Sequence, residues 1–213
     1  MILTAPPFFQ DIDTNAPEFR DALDRAGAIL AGTELCVYVC HRHDEVVIQP
    51  GEVIFEQRVS AQQLLLEPVA EEEAAELGKP STWRFAPSED GAGVSVVVLR
   101  YADSALHEQI DVDVASKEFM AQLAEIGRSF VEAGIHEVLE LNVLGSLFPP
   151  PAGHVTSERA LQDRRQTLTF EPTPSAIVDG DWCDAGAACW HFSSTGRPLV
   201  TGRCGTGTGL HGS

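Results

Sequence analysis

Residues 38–47, YVCHRHDEVV, gather a thiol, two imidazoles and two carboxylates between Cys40 and Glu45. The apolar residues that lead into the run predict a strand. Alternate residues of a strand share a face, so His41 and His43 are expected to project together. Two neutral imidazoles beside a carboxylate suit zinc, iron or manganese. On this reading His41 and His43 are metal ligands, and Asp44 or Glu45 is a further ligand or a general base. His154 ends the stretch GSLFPPPAGH and is the candidate remote ligand. A metal with an open coordination position would then polarise a small-molecule substrate or activate water. The plain alternative is a polar strand end whose imidazoles are satisfied by hydrogen bonds.

A second group of donors lies towards the end of the chain. Cys183, Cys189, His191 and Cys204 include the thiols and imidazole that zinc favours, but no pair has the short spacing of a zinc knuckle. Structural cysteines in a packed strand are the simpler expectation there. Cys36 and Cys40 fall on one face of a strand without CxxC spacing, so a catalytic dithiol is not predicted. Asp179, Asp181 and Asp184 miss the spacing of a calcium loop, and Trp190 stands where its closing glutamate belongs. The glycine-rich GTGTG at 205–209 precedes no helix and cannot cradle a phosphate.

Charge narrows the partners. The chain of 213 residues carries 32 acidic and 14 basic side chains, a formal charge of −18. Such an excess repels nucleic-acid backbones and anionic membranes. It favours encounter with a basic protein. The opening MILTAPPFFQDIDTN has no basic leader, and no apolar run is long enough to span a bilayer. A cytoplasmic setting with reduced cysteines is therefore expected, and the odd count of five cysteines fits it.

The elements that must position these residues follow from periodicity. Phe19, Leu23, Ala26 and Leu30 predict a helix opened by Pro17. LCVYVC, VSVVVLRY, HEVLELNVL, QTLTFE and ACWHF read as strands. EVVIQ and VIFEQR are expected to form a hairpin about Pro50 and Gly51. Ser60 and Gln63 have capping-box spacing, which predicts a helical turn, a break at Pro68 and a second short helix ended by Gly78 and Pro80. Ser116 caps the strongest predicted helix, whose face is Phe119, Leu123, Ile126 and Phe130, and Gly134 ends it.

Grouped strands and hairpins point to an α+β fold. One compact domain over 1–200 is expected, a largely antiparallel or mixed sheet packed by two or three helices. A glycine-rich, mobile tail is expected over 201–213. Two functions fit these residues: a metal-binding protein or metal-dependent enzyme built on His41, His43 and His154, or a non-enzymatic acidic module that docks a basic protein. The second would use Glu67, Glu71, Glu72, Glu73 and Glu76, with Asp103, Glu108, Asp111 and Asp113.

Overall fold

A computed structural model describes residues 16–30, 38–41, 46–88, 91, 93–107, 113–137, 139–142, 154–172, 186–192, 198–205 and 210–212. For 38–41, 107, 154–160, 170–172, 186–192, 198–205 and 210–212 it describes the backbone alone. In chain order the elements are α1 (Pro17–Leu30), β1 (Tyr38–His41), β2 (Glu52–Ser60), β3 (Gln63–Ala70), α2 (Glu71–Leu77), β4 (Gly78–Pro87), β5 (Val94–Asp103) and α3 (Ser104–His107). Then come α4 (Lys117–Glu132), β6 (Leu139–Asn142), β7 (His154–Ala160), β8 (Gln166–Pro172), β9 (Gly186–Phe192), β10 (Pro198–Gly205) and β11 (Leu210–Gly212).

The strands close into one barrel in the order β1-β6-β4-β5-β2-β3-β8-β7-β11-β10-β9. Pairing is antiparallel except between β2 and β5, which run parallel. The result is a compact α+β domain with a mixed, curled sheet packed by helices, as the residue pattern predicts. Among the described residues no helix is long and apolar enough to cross a membrane.

Helix α4 follows from its sequence at both ends. The Ser116 hydroxyl accepts the Phe119 N–H at 3.1 Å, which satisfies one of the donors a helix start leaves open. At the other end Gly134 takes a φ of 70°, and the Gly134 and Ile135 N–H groups donate to the Val131 and Phe130 carbonyls, each at 3.0 Å. This is a Schellman closure, with Ile135 buried behind it. Phe119, Leu123, Ile126 and Phe130 lie in the main core with Trp83, Phe85 and the buried face of α1, and Val96 and Val98 pack against it. Trp83 meets Phe119 edge-on at 5.3 Å, and Phe85 meets Phe130 at 5.7 Å. Gly127 is required here, because a Cβ on it would collide with the Phe85 ring.

A smaller core lies under α2, where Ala74 packs with Val53, Phe55 and Tyr101. Phe55 and Tyr101 are opposed in register, as are Ile54 and Arg100. Ile54 belongs to the main core, so alternation along β2 sends successive side chains to the two cores.

Three local expectations are corrected. Residues 63–70 form a strand and not a helical turn, because Leu64 and Leu66 are buried at a period of two. The Ser60 hydroxyl accepts the Gln62 N–H at 3.2 Å and so shapes the β2–β3 turn; it caps no helix. The Pro50–Gly51 turn forms, with φ 84° at Gly51, but Val46–Gln49 is irregular and makes no hairpin arm. The second short helix forms as α2 and ends at its cap Gly78, from which the long strand β4 runs on to Pro87. The glycine-rich end supplies most of β10 and all of β11.

Candidate functional site

The strand β5 is apolar along one face, Val94, Val96 and Val98, until Arg100 interrupts it. Arg100 Nη1 lies 3.1 Å from Glu56 Oε1, and Nη2 lies 3.4 Å from Glu140 Oε1. The Ser81 hydroxyl donates to Glu56 Oε2 at 3.1 Å. Glu56 is 4% exposed and Glu140 3%, so these carboxylates have left water and depend on the guanidinium for compensation. Close by, Asn142 Nδ2 donates to Thr82 Oγ1 at 2.7 Å. Two buried carboxylates thus face one guanidinium.

Sequence reasoning missed the cluster. Its signal was present as single charges inside apolar runs: Glu56 in VIFEQ, Arg100 in VVVLRY and Glu140 in VLELN. What could not be read was that the three strands meet.

The predicted metal ligands fall as follows. His41 is the last residue of β1, opposite Leu139 on β6. His154 is the first residue of β7, opposite Pro172 on β8. Strands β9, β10 and β11 lie between β1 and β7 on the shorter way round the barrel, so no ladder joins the two histidines. His43, Asp44 and Glu45 lie outside the described residues. Among the described residues, no group of three or more histidine, cysteine or acidic side chains is placed to hold a metal ion.

The backbone register does bring other donors together. Cys40 on β1 is paired with Glu140 on one side and with Cys189 of β9 on the other, and Tyr38 is paired with His191. Cys36 and Cys183 lie outside the described residues.

The acidic surface is partitioned. Glu71, Glu72, Glu73 and Glu76 are all exposed on α2, which has no basic residue in its last turn. Negative charge in the first turn also complements the helix dipole. Glu67 is instead on β3 and accepts from Gln57 at 2.9 Å. Asp103 is committed within the fold: its carboxylate accepts the Arg58 and Leu106 N–H groups at 2.9 and 2.8 Å. Asp113 accepts from Ala115 N–H at 3.1 Å, and Glu108 and Asp111 lie outside the described residues. Burial pushes the Tyr101 phenol above its usual range, and the nearby Glu71 carboxylate adds to the shift.

No family model, curated protein or solved structure matches this chain.

Proposed function

We propose that this chain is an acidic interaction module that docks a basic protein surface through helix α2. The supporting observation is the exposure of Glu71, Glu72, Glu73 and Glu76 together on one seven-residue helix whose buried anchor is Ala74. Four carboxylates on a rigid element present a fixed negative patch, and the formal charge of −18 adds a long-range field behind it. Such a field raises the rate of encounter with a cationic partner and is screened beyond about 10 Å at 0.1 M salt. The cost of docking is low, because exposed glutamates lose little hydration to a wet, polar interface.

The test uses an arginine-rich synthetic peptide as probe and two variants of equal net charge. E71K/E72K/E73K reverses the α2 patch, and E18K/D21K/D24K reverses three exposed acids of α1. Affinity for the peptide at low salt is expected to fall at least about ten-fold in the first variant and much less in the second. Equal losses in both would mean that net charge alone attracts the peptide, and the docking site would be withdrawn.

The metal-binding function on His41, His43 and His154, with Asp44 or Glu45 as base, is the second proposal. Its test is replacement of each histidine by alanine with assay of bound metal.

A further inference from the structure

We propose that the open edge of β5 at residues 94–98 takes an extended, β-branched segment of the basic partner as an added strand, with the basic end of that segment against the first turn of α2. The reading that α2 receives a basic partner underlies this, and the edge supplies the form in which the partner binds. Among the described residues, 94–98 are laddered on one side only, to residues 83–87 of β4. On the other side β2 joins β5 at Arg100 and follows it to Ala102. Burial changes at nearly the same place: residues 94–98 are half-buried, and 99–102 are buried. The chain ahead of β2 does not prolong the ladder, because the Glu52 N–H donates to the Gln49 carbonyl at 3.0 Å and the chain turns back there.

The edge reads VSVVV and is about 16 Å long at the rise of a strand. Native proteins guard an open edge with lysine, proline or a bulge. This one has no charge and no proline, and its ladder to β4 is regular from Val94 to Val98. Val94, Val96 and Val98 pack against the main core, so the backbone that forms the edge is held in place. Outward N–H and C=O groups on such a strand are a template for an incoming chain, whose main-chain bonds supply affinity.

Charge and area choose the occupant. Two residues before the Ile54–Arg100 pair, Glu52 stands level with Val98. Glu52 pairs with Ala70, and the Glu71 N–H donates to the Gly51 carbonyl at 3.0 Å. Helix α2 therefore starts about two strand spacings, roughly 10 Å, from the end of the open edge. Glu71, Glu72 and Glu73 stand in that first turn, where a cationic end on the added strand meets them. A second copy of this chain suits the edge less well, since it brings another formal charge of −18. Five laddered residues also fall well short of the roughly 800 Å² per partner of a stable interface.

The test uses the full chain, isotope-labelled, with a synthetic peptide that has an arginine-rich amino end and a tail of alternating valine and threonine. Two companion peptides keep the arginines but carry either an N-methylated tail or a tail of glycine and serine. In the free chain, alternate amides of 94–98 are expected to exchange rapidly with solvent and to slow at least about ten-fold when the valine peptide binds. Both companions are expected to bind at least about ten-fold more weakly than the valine peptide. E71K/E72K/E73K should weaken all three. Equal affinities for the three peptides, all lost in E71K/E72K/E73K, would leave docking on α2 standing and overturn the added strand. Slow exchange of every amide of 94–98 in the free chain, or a bound valine peptide that leaves them unchanged, would overturn it too. Slowing that follows protein concentration without peptide would assign the edge to a second copy and overturn the proposal. Protection of 94–98 at undiminished affinity in E71K/E72K/E73K would keep the edge as the acceptor and overturn the part given to α2.

Discussion

Arg100 and Glu140 meet at 3.4 Å although their strands, β5 and β6, are separated in the sheet by β4. Register shifts in β4 between Pro80 and Thr82, and again between Thr82 and Trp83, accompany this crossing. Arg100 thus ties β2, β5 and β6 together by ion pairs inside the fold. Replacing it with methionine leaves two buried carboxylates without their guanidinium, and destabilisation of about 3–5 kcal/mol is expected in urea unfolding. Adding Glu56→Gln and Glu140→Gln to the same chain should recover part of that loss. A single Arg100→Met variant as stable as the wild type would show that the cluster is not a structural tie.

The contact between Gly127 and Phe85 gives an independent test of the core. Gly127→Ala places a methyl group against the Phe85 ring and should cost about 1–3 kcal/mol, despite alanine's better helix propensity. Phe85→Leu in the Gly127→Ala background should relieve some of the clash. A stabilising Gly127→Ala would mean that α4 stands further from β4.

How much of this was legible from the residues differs by element. Helix α4 was readable to its ends, because its cap, apolar face and closing glycine are all local. The strands β1, β5 and β8 were readable from runs of apolar and β-branched residues. Strand β3 was not, since LLLEPVA has no clean alternation in residue type and only burial reveals the period. Strand β4 begins with Gly78 and Pro80, which read as helix punctuation; the bulges that accommodate Pro80 depend on β5 and β6. The acidic face of α2 was visible as a run of glutamates, but the internal use of Asp103 was not. Neither the Glu56–Arg100–Glu140 cluster nor the Cys40–Cys189 register could be read, because both arise from strands distant in the chain.

Acid stability should report the surface pair Glu52–Arg164. Arg164 donates to both Glu52 oxygens, at 2.6 and 2.9 Å, and to the Val47 carbonyl at 3.1 Å. These bonds, with the Gln49 N–H, lower the Glu52 carboxyl from 4.5 to about 2. A depressed carboxyl stabilises the folded state above its unfolded value and loses that contribution as pH falls towards its folded value. The stability difference between wild type and Arg164→Ala should therefore be constant above about pH 5 and shrink between there and about pH 2. A difference independent of pH would remove Glu52 as the partner that matters.

Tyr101 offers a reporter of the α2 charge. Its phenol is raised by burial first and by Glu71 second. Glu71→Lys should move the Tyr101 transition to lower pH in an ultraviolet titration, with Tyr38→Phe used to isolate it. No movement would place the Glu71 charge too far away to act.

The most direct measurement of the docking proposal is the association rate constant for the arginine-rich peptide as salt is raised. For the wild type it should fall steeply with ionic strength. E71K/E72K/E73K should associate more slowly at low salt and show a shallower salt dependence, with a smaller change in dissociation rate. The α1 variant E18K/D21K/D24K should stay close to the wild type. Identical association rates and salt slopes for the α2 variant and the wild type would contradict the proposal that α2 receives the partner.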